Sequence, residues 1–576
     1  MNNIAVGIDL GTSTSEVTVY INNETNTLRD PIARSPIIPS VVAIDKKNRI
    51  VVGDQALRYV GSKKRFCQEV KRSMGKKETI KLGDRDFKPE EISAIILKKI
   101  KELVESVYST KIDEAVITVP ANFPEPARKA TLLAAELAGI KVLRLINEPT
   151  AAALAYGIKK FNTTEDLLIF DWGGGTLDVS ILEMIDNQMN VIASFGNPNL
   201  GGKDIDDLFA QKLHDEFIRL NGECTVIASA ALKQEVKRGK EILSSQEEIE
   251  IYVPSYAINK AGEDIDLDTI ITREEFQKII KPLVLEAKDV VVEALATKAI
   301  RVEKINKVLA IGGTSYIPYV REMLDSVFHN KVSFDVDPDL AVSIGASLQA
   351  AYIKGLINKN EAINIKDVSP YGLGVPVLES MGRQIMAFYD PLIEPNTSLP
   401  YSVSKTYNLI TSDQKNVEIK VLQSHYSGSQ LLSNVIDTGI MGKIKSIPTS
   451  KTGEPHPFKI NFIYDNNGMI KLSAYIPTTN QKLDIKFNDS EISMSEEEKK
   501  IAIERIEDMW MKNNLLNYYT KIIHNIQKYI NNNELSDEEV TQLQKLKDQI
   551  ERSLNTGNRY LAEEAEKELK KYGIGN

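Results

Sequence analysis

The chain has 576 residues, 42% of them apolar and 26% charged, with a formal net charge of −9. That length exceeds what one hydrophobic core organises and predicts several domains of ordinary globular composition. The acidic balance argues against a nucleic-acid partner, which needs a basic face. Cys67 and Cys224 stand far apart, and His214, His329, His425, His456 and His524 form no paired motif, so metal-ligand spacing is lacking and a reducing, cytoplasmic setting is expected. MNNIAVGIDL carries no basic segment ahead of an apolar run, and no stretch approaches the roughly 18 apolar residues of a membrane span, so no membrane association is expected.

From residue 1 to about 355, apolar strands alternate with amphipathic helices. Strands are predicted at 4–10, 114–120 and 166–172, with a helix over 126–139, and such alternation predicts α/β layers. Residues 356–367 are short and mixed and read as a linker. Between 368 and 492 the helical period fades and short β-rich runs appear at 416–424, 459–465, 469–476 and 482–487. Asn466-Asn467-Gly468 falls between two of these runs and predicts a hairpin. From 493 the pattern is helical, and Ser495/Glu498 and Ser536/Glu539 match the capping box.

One arrangement occurs twice. In Gly7-Ile8-Asp9-Leu10-Gly11-Thr12-Ser13-Thr14, and again in Ile169-Phe170-Asp171-Trp172-Gly173-Gly174-Gly175-Thr176-Leu177-Asp178, an Asp ends an apolar strand and a Gly-rich turn leads into another strand. Glycine lets backbone approach phosphate oxygens without a Cβ in the way, and turn N–H groups then donate to them. The hydroxyls of Thr12, Ser13 and Thr176 add donors. Carboxylates do not face phosphate unaided, so Asp9, Asp171 and Asp178 imply Mg²⁺, held through its waters. A tight β-turn alone would explain one copy but not both. No GxxxxGK[ST] loop is present, so this is not a Walker site. A third element, Val308–Pro318, runs a strand into Gly312-Gly313-Thr314 and then a helix, whose N-terminus suits a nucleotide's ribose and phosphate edge.

These three motifs in this order resemble the superfamily of actin, sugar kinases and 70-kDa heat-shock chaperones. VITVPANF (116–123), RKAT (128–131), INEPTAAALAYG (146–157), NLGGKD (199–204) and DPD (337–339) are similar to the ATPase domain of the 70-kDa heat-shock (DnaK-type) chaperone family almost word for word. The resemblance implies an actin-like two-lobed ATPase domain over 1–355, a linker at 356–367, a β-sandwich substrate domain over 368–492 and a helical lid over 493–576. It also implies ATP hydrolysis controlling the binding of extended apolar segments of unfolded clients. The atypical linker and short lid keep a rival in view, a nucleotide-gated scaffold for one dedicated partner. The short lid and the terminus KKYGIGN, which carries no acidic tail, would suit a specialised bacterial paralogue.

Carried over residue by residue, the resemblance gives Lys71 the role of positioning the attacking water. Asp9, Asp171 and Asp178 organise Mg²⁺ and water, with Asp9 and Asp171 nearest the metal. Thr12 and Thr176 are hydroxyl contacts, and Glu148 is the acid near the metal waters. Glu148, Pro120 and Arg128 would relay the nucleotide state to the partner domain. Gly11, Ser13, Gly173, Gly174, Gly175, Gly201, Gly202, Lys240, Ser244, Gly312, Gly313, Thr314, Tyr316 and Asp339 would surround ATP or ADP, with K⁺ a further candidate ion. Val375, Tyr407, Ile410 and Val417 align with apolar peptide-cleft positions. Arg144 and Asp367 match the docking face of a J-domain co-chaperone, and a nucleotide exchange factor is a further candidate partner. Departures from the family pattern are Lys237 where an adenine-clamp Glu is usual, Tyr316 where Arg is usual, Trp172 in place of a small residue, and Asn364-Ile365-Lys366 where the linker usually carries leucines. The last predicts two missing apolar anchors and weakened docking between domains.

Overall fold

A computed structural model describes residues 4–46, 49–62, 64–157, 163–333, 335–358, 363–381, 384–482, 484–487, 494–532, 535–556, 559–572 and 574. The chain forms two compact units, Met1–Val42 with Val52–Ser495 and Ala43–Val51 with Glu496–Asn576.

The first unit is mixed α/β, and one strand plan occurs twice in it. In the first sheet, Ala5–Leu10, Thr14–Ile21 and Glu24–Thr27 form an antiparallel meander, and Glu114–Val119 and then Lys141–Asn147 add in parallel beside Ala5–Leu10. In the second, Thr163–Trp172, Leu177–Asp186 and Gln188–Asn197 form the meander, and Lys307–Ile311 and then Val332–Ser333 add in parallel. Both Gly-rich turns therefore occupy the same place in their sheets, the first hairpin of the meander. Two buried, alanine-rich helices, Glu148–Gly157 and Ala341–Ile353, share an apolar core with strands of both sheets. Their crossing requires glycine, since a Cβ on Gly345 would fall 1.7 Å from the carbonyl oxygen of Ala151. Likewise, a Cβ on Gly7 would lie 2.0 Å from the backbone nitrogen of Ser347.

Beyond residue 367 the unit is β-rich. Strands Gly372–Met381, Gln384–Ile393, Val417–Ser424 and Ile436–Ile444 belong to one sheet, and Tyr401–Asn408, Pro457–Tyr464 and Ile470–Ile476 belong to another. Alternate residues of both, among them Val375, Val421, Ile440, Phe462 and Leu472, bury into one core. The predicted hairpin is present. Asp465 Oδ1 accepts from the backbone N–H of Asn467 and Met469, and Gly468 adopts φ +69°.

The linker needs correction. Asn364–Lys366 is a strand, paired in parallel with the edge strand Gln188–Asn197. Side chains alternate along a strand, so Asn364 and Lys366 are exposed while Ile365 packs on the core with Ile363 and Val368. The two polar residues occupy solvent-facing positions, and they do not remove an anchor. Further ties hold the β-rich part to the α/β part. Glu125 N–H donates to Gln423 Oε1 (3.2 Å), Ile470 N–H to Glu125 Oε1 (3.2 Å), Leu145 N–H to Asn467 Oδ1 (3.2 Å) and Ser194 N–H to Asn396 Oδ1 (2.7 Å).

The second unit holds the helices Glu496–Asn532, Asp537–Thr556 and Arg559–Leu569, which bury Ile522, Ile526, Leu543, Ile550, Ala562 and Leu569 together. Ser536 and Glu539 close a reciprocal capping box, as their spacing predicts. No described helix is long and apolar enough to cross a membrane.

Candidate functional site: a carboxylate-lined phosphate cleft

The two hairpin turns face each other. A Cβ on Gly174 would fall 2.0 Å from Ser13 Oγ, and one on Gly175 would fall 2.4 Å from Thr12 Oγ1, so the loops abut only because both residues are glycine. The third element closes one side. Gly312 takes φ +79°, and Thr314 Oγ1 donates to the carbonyl of Gly173 at 2.9 Å. The helix forms from Pro318, where the sequence PYVREML predicts it. A 3₁₀ turn, Gly313–Tyr316, separates the glycines from the helix, which begins at Pro318.

The cleft so formed is lined by Asp9, Gly11, Thr12, Ser13, Lys71, Glu148, Asp171, Gly173, Gly174, Gly175, Thr176, Gly312, Gly313 and Asp339. Lys71 is buried, and its Nζ donates to Glu148 Oε1 at 2.5 Å. Burial alone would lower its pKa, but the carboxylates of Glu148, Asp9 and Asp171 outweigh that and raise it, so Lys71 is a fixed cation. The acids are pushed the other way. Burial holds Asp171 well above the usual carboxylate range, reinforced by Glu148, Asp178 and Asp9. Burial carries Glu148 to about 7 against the pull of Lys71. Asp9 is also raised by burial, although Lys71 and a 2.6 Å bond from Thr118 Oγ1 oppose it. One lysine among so many clustered acids leaves negative charge that a divalent cation would neutralise, and a glycine-lined floor that phosphate oxygens would fill. The donor set thus fits a nucleotide carrying Mg²⁺.

Several predicted residues stand just outside the lining. Asp178 is 1% exposed, and its Oδ1 accepts from both Asn122 N–H (3.0 Å) and Asn122 Nδ2 (2.6 Å). Gly201 N–H caps onto Asp204 at 2.7 Å, while Asp204 also pairs with Arg72, whose guanidinium reaches the carbonyl of Gly175. Lys240 donates to the carbonyl of Gly202 (3.1 Å) and pairs with Asp206 (2.7 Å), and Ser244 bonds back to the carbonyl of Lys240. Tyr316 is half-buried, under the guanidinium of Arg321 and against Asp339. Lys237 is exposed. Trp172 is fully buried in the core edge-on to Phe170, away from the cleft surface. Glu16 is the lining acid that sequence reading missed. It is 2% exposed, directly across the strand pair from Asp9. Hairpin register carried that signal, since residues paired across antiparallel strands share a face.

In the β-rich part, Val375 fills the inter-sheet core at 3% exposure, Tyr407 and Val417 pack half-buried against it, and Ile410 is exposed. Tyr407 Oη bonds Asp390. Asp367, expected on a docking face, is only 6% exposed. Its Oδ2 accepts from Asn147 Nδ2 (3.0 Å) and Thr150 Oγ1 (3.1 Å).

A cleft of paired hairpin loops, a fixed lysine and clustered acids defines a phosphate-handling protein built on a duplicated α/β plan. The family model described as Hsp70 protein matches residues 5–82 and 76–574. The chaperone protein DnaK of Mycoplasma mobile is 35% identical over 508 residues, covering 87% of this chain and 81% of its own. The chaperone protein DnaK of Mycoplasma mycoides subsp. mycoides SC is 34% identical over 581 residues, covering 98% and 94% respectively. That of Thermotoga neapolitana is 34% identical over 476 residues, covering 81% and 78%. The chain belongs to the Hsp70 family. It is an ATP-dependent molecular chaperone and an ATPase, and the family implies an actin-like ATPase domain, a β-sandwich and a helical lid.

Proposed function

We propose that this chaperone hydrolyses Mg²⁺-bound ATP in the cleft between the two hairpin loops and uses the nucleotide state to control an extended apolar peptide held by the β-rich part. The carrying observation is Lys71, a buried cation 2.5 Å from Glu148 and surrounded by Asp9 and Asp171 beneath two glycine turns. Bound Mg²⁺ would offset phosphate charge, with Asp9 and Asp171 as the carboxylates that hold its waters. Lys71 orients the attacking water and offsets charge that grows on the γ-phosphate. Phosphoryl transfer asks for positioning and charge neutralisation more than for covalent chemistry. Glu148 keeps Lys71 in place, and the turn N–H groups with Thr12, Ser13 and Thr176 cradle the phosphates. Tyr316 offers a flat face to the base. K⁺ is a further candidate for the acid-rich floor.

The division into an ATPase domain at 1–355, a linker at 356–367, a β-sandwich at 368–492 and a lid at 493–576 is part of this proposal. Val375, Tyr407, Ile410 and Val417 are proposed to line the peptide cleft. Of these, Ile410 already stands exposed, whereas Val375 becomes available only if the sheets part. A J-domain co-chaperone and an exchange factor are the proposed partners, in a cytoplasmic setting. Asp367, being buried, would answer a J-domain through its bonds to Asn147 and Thr150 and not by touching it. The test is Mg²⁺-dependent phosphate release together with release of a labelled apolar peptide on adding ATP. Hydrolysis without any change in peptide binding would overturn the coupled reading.

A further inference from the structure

Lys71 is carried by a 3₁₀ turn, Val70–Ser73, which lies in sequence between strands of the first sheet, whereas the loop Gly173–Gly175 belongs to the second. The residues that flank Lys71 reach across to helix Gly202–Asn221, beside that second loop. Glu69 Oε2 pairs with Lys203 Nζ at 2.6 Å. Arg72 pairs with Asp204 and also donates to the carbonyl of Gly175, through Nη2 at 2.6 Å and Nε at 3.1 Å. The receiving helix end is itself fixed to the loop, because Gly202 N–H donates to the carbonyl of Gly173 (3.0 Å) and Lys203 N–H to that of Gly174 (2.9 Å). A 3₁₀ turn repeats every three residues, so Glu69 and Arg72 share one edge while Lys71 is directed elsewhere, into its buried pair with Glu148. The charges match in order, acid then base on the turn and base then acid on the helix. All four of these side chains stand outside the cleft lining.

This seat works against local backbone preference. Glu69 takes φ +59°, in the left-handed region that costs a non-glycine residue free energy. Its ion pair with Lys203 offsets that cost and sets the angle at which the chain enters the Lys71 turn. Angle matters here, since misplacing a positioning group by about 1 Å can slow a reaction roughly a hundredfold. We propose that Glu69 and Lys203 are positioning residues for ATP hydrolysis, an ion pair that, beside Arg72 and Asp204, seats the Lys71 turn against the second glycine loop. This rests on the reading of Lys71 as the residue that orients the attacking water.

The test uses the full chain with Lys203→Met and Lys203→Glu, both of which keep the backbone bond to Gly174. Single-turnover hydrolysis is expected to slow about two- to fivefold in Lys203→Met, the range a partly exposed ion pair supports, with ATP affinity within about twofold and an unchanged melting temperature. Lys203→Glu should be slower still, because it sets two carboxylates together. Glu69→Lys/Lys203→Glu reverses the pair and should recover most of the lost rate, which a packing role for either side chain would not allow. An unchanged rate in Lys203→Glu overturns the proposal. So does a reversed pair no faster than Lys203→Glu alone. A slowdown matched by an equal loss of ATP affinity also overturns it, since that marks weaker nucleotide binding and not a displaced Lys71. A wild-type chain that hydrolyses no ATP would instead remove the ATPase reading on which the proposal stands.

Discussion

Arg128 and Asn147 are bonded side chain to side chain at 2.7 Å, both buried, and the pair ties helix Glu125–Leu137 to the strand that ends one residue before Glu148. Asn147 accepts from Arg128 through Oδ1 and donates through Nδ2 to Asp367, and Arg128 reaches the carbonyl of Asn467 in the β hairpin. The residue beside Glu148 is thereby connected to both the linker and the second sheet. On the proposed function, nucleotide contacts that shift Glu148 would act on this network, and by linkage the β-rich part would act back with equal free energy.

Asp367 is the joint of that network. An Asn there turns one acceptor oxygen into a donor facing the donors of Asn147, Thr150 or Val368, so one buried pairing is lost. Asp367→Asn is expected to loosen the linker strand by about 1–3 kcal/mol, seen as faster amide exchange across 363–369 and reduced stimulation by a J-domain protein. Unchanged exchange would mean that the bonds to Asn147 and Thr150 carry no coupling.

Lys71→Ala removes the cation that sits among the cleft acids. Hydrolysis should fall to background while ATP affinity stays within about tenfold, because the lysine acts mainly as charge develops in the transition state. Phosphate release and equilibrium nucleotide binding, measured on the same preparation, check both halves. Normal turnover would contradict the role given to Lys71.

Glu125 supplies a pH dependence. Burial raises its carboxyl to about 7 even though Lys129 is near, while the unfolded chain titrates near 4.5. The folded form therefore binds the extra proton between pH 4.5 and 7, and stability falls as pH rises through that window. Glu125→Gln keeps an acceptor for the Ile470 N–H and removes the charge. It should melt higher than wild type at pH 8, by the equivalent of about 1–3 kcal/mol, with the difference closing by pH 4.5. A gain that is the same at both pH values would exclude titration of Glu125 as its cause.

Much of this was legible in the chain. Both Gly-rich turns, the Asn466–Gly468 hairpin and the Ser536 cap are set by local rules, and each forms where its residues predict. Lys71 and Glu148 were found only by resemblance, because 77 positions separate them and no local pattern brings them together. Glu16 is readable from hairpin register, being paired with Asp9, but nothing within its own strand sets it apart from any other polar strand residue. Tyr371 is marked by no local rule, although its hydroxyl donates to the carbonyl of Asn122. A tyrosine that bonds a distant backbone carbonyl looks in sequence like any core aromatic. The linker failed for a different reason. Counting apolar residues treats Asn364-Ile365-Lys366 as a weakened anchor, whereas strand pairing decides which of the three faces the protein.

That register gives the sharpest test of coupling. Asn364 and Lys366 are exposed, Ile365 is half-buried against the core, and the backbone of all three is paired with Gln188, Met189 and Asn190. Restoring leucines at 364 and 366 would place apolar groups in water and gain little buried area, so Asn364→Leu/Lys366→Leu should change the ratio of peptide dissociation rates in ATP and ADP by less than about twofold. Ile365→Asp has the opposite expectation. It forfeits part of the roughly 1.5–3 kcal/mol that a fully buried side chain contributes and sets a charge against Met189 and its neighbours. A loss of about 1–3 kcal/mol is the size of a typical allosteric coupling, so the ratio should fall at least about fivefold. If the leucine pair raised the ratio strongly while Ile365→Asp left it alone, the linker would have to dock in another register than the one paired with Gln188–Asn197.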